Sequence, residues 1–185
     1  MARNVEFIPE VKLVKAMHVF WSKGYTSASL DDLTAAMKIN KSSMYNTVGD
    51  KHKLFTNSLK AYGKIVEKDY AAAIKDHHSP IENIESIIEH IGAVSTDRDN
   101  SCLGVKTSFE LASEDKEIQA IIRAGHEQTI CLIKSLINEA QTSGQIKPER
   151  DAYAMANVIF NSSPGFVNPI LFIEINRWSK RWSWN

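Results

Sequence analysis

A long run from Asp115 to Thr142 limits the fold more than any other part of the sequence. Its large aliphatic side chains recur at helical spacing on one side, at positions 118, 121, 122, 133, 136 and 137. Ser143-Gly144 then supplies a stop signal. No segment shows the alternation of a half-buried strand. The same helical spacing returns at residues 13–21, where Gly24 is predicted to end the helix, and at 54–74 and 81–91. A further helix is predicted from about Pro148 to Ser162. The sequence therefore predicts an all-α fold of about eight or nine helices.

The composition is that of an ordinary soluble globular protein. Of the 185 residues, 43% are apolar and 24% are charged, which excludes a disordered chain or a collagen-like repeat. Only two cysteines occur, and this favours a reducing compartment over a secreted disulfide scaffold. The first residues lack the apolar stretch of a signal peptide, and no apolar run approaches the roughly 20 residues of a membrane span. We therefore expect a cytoplasmic protein with no membrane segment.

Charge is unevenly distributed, although the net charge is zero. Residues 1–68 hold eleven Lys and Arg against six Asp and Glu, a surplus of five positive charges. Residues 69–185 hold the opposite surplus. A basic first third on an acidic body is typical of a head that binds a polyanion. A chance distribution of solvated charges explains the same counts, so charge alone leaves both interpretations open.

The most informative stretch reads GYTSASLDDLTAAMKINKSSMYNTVGDK. Ser29 is a candidate N-cap for a short helix over residues 30–37, and acidic residues in its first turn favour that helix through the helix dipole. A three-residue turn follows at 38–40, and Asn40 can cap a second short helix over 41–47. Two helices of about two turns joined in this way have the geometry of a helix-turn-helix. Its small core would be formed by Leu33, Ala36, Ile39, Met44 and Val48.

The second helix of a helix-turn-helix enters the major groove of DNA by its N-terminal end. Asn46 can contact adenine with two hydrogen bonds, and Lys41 can reach guanine or a phosphate. Tyr45, Thr47 and Lys51 are better suited to phosphates, which position a protein without reading sequence. An ordinary helical hairpin with a polar face is the alternative. None of the residues expected to be exposed on this helix is acidic, and they are Lys41, Ser42, Ser43, Tyr45, Asn46 and Thr47.

This stretch resembles the DNA-binding head of the TetR family of transcriptional regulators. The residues that carry the resemblance are Phe20, Gly24, Tyr25, Ser29, Leu33, Ala36, Ile39, Lys41, Ser43, Tyr45 and Lys51. It implies a three-helix head over residues 1–50, with Ser29 among the DNA-binding residues, and a helical ligand-binding and dimerisation body over 51–185. It also implies a homodimeric repressor that binds double-stranded operator DNA and is released by a small molecule of unknown identity. Residues 101–115 resemble the sixth helix of the NemR-like subgroup.

Three features depart from the family pattern. Lys38 stands where the family often has glycine, and a left-handed backbone there would cost roughly 1–2 kcal/mol. Val48 replaces a common phenylalanine. The tail after Ser163 contains two prolines that would interrupt a long helix, and we favour an altered dimer interface there over a coding or cloning anomaly. Three of the four tryptophans fall in the last eight residues of this tail, at Trp178, Trp182 and Trp184.

Cys102 is a candidate sensor of electrophiles or oxidants. It opens a predicted helix with Lys106 one turn later, and a helix N-terminus and a nearby cation both lower the pKa of a thiol. A small buried apolar residue is the commoner role of a free cysteine, and for Cys131 we expect that role. Further candidate ligand-binding residues, for each of which a place in the core is the alternative, are Tyr62, Tyr70, Phe109 and His126.

No motif indicates an enzyme, a cofactor or a metal site. The sequence has no phosphate-binding glycine loop, no nucleophile elbow and no His/Cys pair at metal-ligand spacing. Glu110 and Glu114 lie four residues apart, but a solvated helix face explains them. We therefore expect a TetR-type repressor released by a small ligand or by thiol modification. The alternative is a helical ligand-binding or interaction module whose degenerate head does not read DNA.

Overall fold

The computed structural model describes residues 10–96 and 102–162, and within these ranges the chain forms eight α-helices and no strand. This confirms the all-α prediction. The helices are α1 (Glu10–Ser27), α2 (Leu30–Met37), α3 (Lys41–Thr47), α4 (Lys51–Ala73), α5 (Pro80–Thr96), α6 (Leu103–Glu110), α7 (Lys116–Thr142) and α8 (Ala152–Ser162).

The boundaries of α2 and α3 coincide with those predicted, because short-range capping determines them. The Ser29 hydroxyl accepts from the Asp32 amide at 3.1 Å, and the Asp32 carboxylate accepts from the Ser29 amide at 3.0 Å. This reciprocal pair is a capping box. The Asn40 side chain accepts from the Ser43 amide at 2.7 Å and so caps α3. Lys38 ends α2 in the left-handed conformation expected there, with φ 52° and ψ 52°.

Contacts divide the chain into two compact units. The first unit contains the described residues up to Val66 together with Leu103–Gly125, so α6 belongs with the helix-turn-helix. Its core combines aliphatic side chains with an aromatic pair: Phe20 and Phe55 are buried, with ring centroids 4.8 Å apart in an edge-to-face arrangement. Trp21 and Tyr62 form a second edge-to-face pair at 5.2 Å. Such pairs add to the stabilisation gained by burying their large apolar area.

The second unit contains the described residues of Glu67–Cys102 and those from His126 to Ser162. Its core is aliphatic and comes from α5, the later part of α7, and α8. The central side chains are Ile87, Ile133 and Ile137, each with no exposed surface. The division of function at residue 50 stays a prediction, since compactness does not test it.

α8 begins later than predicted. The sequence suggested a start near Pro148, but the helix starts at Ala152. The Asp151 carboxylate accepts from the amides of Tyr153 and Ala154 and caps the helix there. The tail after Ser163, with its three tryptophans, lies outside the described residues. Among the described helices, none is long and apolar enough to cross a membrane.

Candidate nucleic-acid interface

α3 buries one residue and exposes the side expected to read DNA. Met44 has no exposed surface and anchors the helix in the first unit, with Leu33 of α2 equally buried. The Tyr45 ring is 50% exposed although it is large and apolar. Lys41, Ser42 and Asn46 are also exposed. Of the predicted small core, Leu33 and Met44 are buried, whereas Ala36, Ile39 and Val48 are only half-buried. Ser43 and Thr47, which were predicted to be exposed, are half-buried as well.

Several of the predicted DNA-binding side chains already have partners within the protein. The Lys41 ammonium lies 2.8 Å from the Asp31 carboxylate, and both side chains are largely exposed. Asn46 donates to the Ser42 hydroxyl over a long 3.4 Å, a contact that the edge of a base could readily replace. The Thr47 hydroxyl donates to the carbonyl of Ser43 at 2.6 Å, within its own helix.

Two of the three predicted serines, Ser29 and Ser43, take part in helix caps in different ways. The Ser29 hydroxyl is engaged in the capping box, where it also donates to the Asp32 carboxylate at 2.7 Å. Asp32 in turn accepts from Lys23, and the hydrogen bonds from Lys23 and Ser29 lower its pKa to about 2. Ser43 supplies its amide to the Asn40 cap. Ser29 therefore shapes the start of α2, whatever contact it makes with DNA.

Lys51, predicted as a phosphate contact, reaches back to the end of α1. Its ammonium lies 4.6 Å from the centre of the Tyr25 ring, a cation–π distance, and 3.4 Å from the Thr26 carbonyl. Partial burial is the main cause of a raised pKa for Tyr25, with the charges of Asp50 and Asp115 adding to it. Lys51 therefore links α4 to the last turn of α1.

The last part of α1 contains a break that the sequence only partly revealed. Gly24 interrupts the helix with φ 77° and ψ 169°, as the predicted end of the first helix required. The next two amides, of Tyr25 and Thr26, donate to the two carboxylate oxygens of Glu110 at 3.0 and 2.7 Å. Partial burial opposes ionisation of Glu110, but these hydrogen bonds outweigh it and lower its pKa. Glu110 is exposed, as a solvated helix face requires, but it also binds two backbone amides, which the sequence did not indicate.

A second group of carboxylates contacts α4 from the start of α7. His52 Nε2 lies 2.6 Å from an oxygen of Asp115, which also caps α7 through the Ile118 amide. That amide bond is the main reason why the pKa of Asp115 is lowered. The Glu117 carboxylate lies 3.6 Å from the ammonium of Lys53, on the same helix as His52. The first unit thus joins α4 to α7 through ionisable side chains.

A family model named for the TetR C-terminal region, and described as "YsiA-like protein, C-terminal region", matches residues 59–169, more than half of the chain. The chain belongs to the TetR family. This TetR-family chain is 28% identical over 168 residues to the uncharacterized HTH-type transcriptional regulator YezE of Bacillus subtilis (strain 168). The match covers 88% of this chain and 85% of YezE.

Two solved structures show the same fold. A cysteine mutant of the TetR family transcriptional regulator CifR, complexed with 26-base-pair operator DNA, has a TM-score of 0.74 and 24% identity, with 89% of this chain and 87% of CifR covered. Escherichia coli NemR in its reduced form has a TM-score of 0.74 and 15% identity, and the match covers 91% of this chain and 88% of NemR. NemR thus shares the fold of this TetR-family chain, as the subgroup resemblance implied.

The candidate effector residues of the second unit lie in partly buried surroundings. Tyr70 packs edge-to-face on His90 at 5.7 Å. Burial, followed by the charges of Cys102 and Asp69, raises the pKa of Tyr70. Cys102 is half-buried and directly precedes α6. His126 packs against Phe160 at 5.0 Å, and burial lowers its pKa, so a neutral imidazole is favoured there.

The other two candidates lie in the first unit of this TetR-family chain. Tyr62 is buried against Trp21, in keeping with a core role. Phe109 is 88% exposed, so a place in the core was the wrong alternative for it. Cys131 was also expected in the core, and the structure exposes it instead. No group of three His, Cys, Asp or Glu side chains within the described residues could hold a metal ion.

Proposed function

We propose that the chain is a DNA-binding transcriptional repressor of the TetR type. Membership of the family and the likeness to a regulator solved on operator DNA support this proposal. The observation that carries it is α3, whose capped N-terminus exposes donors and one large aromatic ring while Met44 anchors its other side. The alternative, an ordinary helical hairpin with a polar face, does not explain why the large ring of Tyr45 is exposed.

The proposed roles follow the chemistry of each side chain. Asn46 reads a base edge, for which adenine offers the matching donor and acceptor. Lys41 contacts guanine or a phosphate after leaving Asp31. Tyr45 contacts the DNA backbone together with Thr47, Ser42 and Ser43, and these contacts set the register of the helix in the groove. Ser29 and Lys51 support the approach of α2 and α4 to phosphates.

We further propose a homodimer that binds a small effector through its body and acts in the cytoplasm. A two-fold dimer presents two reading helices at a spacing of about one turn of DNA, and an effector that favours another spacing weakens binding. α8 supports a role in association, because Val158 is 66% exposed and Tyr153 is also exposed. In the second unit, the candidate effector contacts are Tyr70, Cys102 and His126, and modification of the Cys102 thiol is a second route to release. In the first unit, Tyr62 and Phe109 are separate candidates, and Phe109 is 88% exposed.

The first test is selection of bound sequences from random duplex DNA at a stated, moderate salt concentration. Recovery of a palindromic site supports a dimeric repressor, whereas recovery of no motif supports the alternative module with a degenerate head. Binding of the recovered site is then measured for Tyr45→Ala and Lys41→Ala. We expect each to weaken binding by at least about tenfold, and Lys41→Ala to flatten the salt dependence by about one phosphate contact.

The matched control is Lys64→Ala, which removes an exposed lysine from α4. It changes net charge as Lys41→Ala does but lies away from α3 in the sequence. Equal losses for both lysine variants would mean that bulk charge, rather than α3, binds DNA. Wild-type affinity in Tyr45→Ala would count against a reading role for this helix.

A further inference from the structure

The break in α1 is held from outside by two side chains of one helix. In an uninterrupted helix the Tyr25 amide would donate to the Trp21 carbonyl, four residues earlier. Here the Tyr25 amide donates to Glu110, and the Trp21 carbonyl accepts from the Lys106 ammonium at 3.0 Å. Both halves of the interrupted backbone bond are therefore taken up by side chains of α6, which packs against α1.

Lys106 and Glu110 are suited to this role by position and by charge. They lie four residues apart on α6, so they project from the same side. The ammonium meets a carbonyl at the C-terminal end of the first part of α1, and the carboxylate meets amides at the start of the following turn. Each charge thus complements the partial charge of the backbone end that it contacts. The turn itself closes through the Ala28 amide, which donates to the Gly24 carbonyl at 3.3 Å.

The held segment leads directly into the helix-turn-helix. Thr26, whose amide donates to Glu110, lies three residues before Ser29, the N-cap of α2. On the other side of the break, Lys23 pairs with Asp32 of the same capping box at 2.6 Å. The direction in which α2 leaves α1 is therefore determined by the backbone at Gly24–Thr26. α3 follows α2 after only three residues, so its orientation depends on the same backbone.

We propose that Lys106 and Glu110 are positioning residues for DNA recognition. They act through the backbone at the α1 break and orient α2 and α3 for the major groove, without touching DNA themselves. The inference rests on the proposed function and adds to it a helix outside the sequence of the head. It predicts that specific binding depends on these residues, while sequence-independent attraction to phosphates does not.

The experiment compares the purified full-length chain with Glu110→Gln, Lys106→Met and the double variant. Glu114→Gln and Lys116→Met are matched controls, because both residues are exposed and lie just beyond α6. Affinity is measured for the selected operator and for random duplex DNA at one salt concentration. Amide hydrogen exchange at Tyr25 and Thr26 is followed in parallel, and it reports the contact directly.

For Glu110→Gln we expect a loss of about tenfold in operator affinity, little change on random DNA, and faster exchange of both amides. The specificity ratio is the affinity for the operator divided by the affinity for random DNA. Lys106→Met should lower this ratio, whereas the control Lys116→Met should not. This comparison provides an independent test should Glu110→Gln fail to fold. An unchanged ratio in both variants, or equal losses on operator and random DNA, would overturn the inference alone. Failure of the wild-type chain to select any site would instead overturn the proposed function, and the inference with it.

Discussion

Replacing Gly24 by alanine should destabilise the first unit by about 2–6 kcal/mol. The backbone angles of 77° and 169° lie in a region that is essentially restricted to glycine, and occupying it with a side chain costs about 1–3 kcal/mol. The new Cβ would also lie 3.0 Å from one Glu110 oxygen and 3.4 Å from the other. The carboxylate must then move away from the two amides that it binds. Since these bonds are at the surface, we count each at about 0.5–1.5 kcal/mol.

Gly144→Ala is the matched control for this substitution. Gly144 has nearly the same φ, 76°, but no heavy atom lies within 4 Å of the position that a Cβ would occupy. Only conformational strain of about 1–2 kcal/mol is expected there. Urea unfolding followed by circular dichroism measures both losses. In a Glu110→Ala background, Gly24→Ala should lower the free energy of unfolding only by the cost of its backbone strain. Equal losses for the two glycine variants, or no difference between the two backgrounds, would refute the reasoning.

Two further predictions concern acid and thiol chemistry. The lowered pKa of Glu110 stabilises the fold fully above the ordinary pKa of a glutamate, and this contribution is lost as pH falls through the lowered value. The difference in the free energy of unfolding between wild type and Glu110→Gln should therefore shrink as the pH falls from about 5 to about 3. Urea unfolding at several pH values measures this difference, and a difference that stays constant would contradict the prediction. Cys131 is exposed and Cys102 is half-buried, so a maleimide should label Cys131 first under native conditions. Peptide mapping identifies the labelled cysteine, and Cys131→Ser is the control. Faster labelling of Cys102 would contradict this prediction and point to an activated thiol.

The parts of the fold that depend on neighbouring residues could be predicted from the sequence. α2 and α3 have the predicted bounds because Ser29 and Asn40 cap them through contacts three residues away. The start of α8 could not be predicted in this way. The Gln141 side chain donates to the carbonyls of Lys147 and Arg150 at 3.1 and 2.8 Å, which holds the preceding residues in a loop.

The contact between Glu110 and the α1 break was not predictable from spacing. The carboxylate and its amide partners are more than 80 residues apart, and helical periodicity does not say which helices meet. The exposure of Cys131, in contrast, had a signal that was overlooked. Its neighbours one turn away on either side are Glu127, Lys134 and Ser135, all polar, so the residue lies on the outer face of α7.

The ion pair between Lys41 and Asp31 gives the proposed reading helix an internal competitor for phosphate. An operator phosphate that approaches Lys41 would compete with an anion already present at 2.8 Å. The contact therefore exchanges one ion pair for another, and its net contribution is the difference between them. If Lys41 contacts DNA as proposed, a well-placed phosphate would replace Asp31, whereas a poorly placed one would leave the Lys41–Asp31 pair intact. The pair would then lower the attraction of the proposed reading helix to DNA in the wrong register.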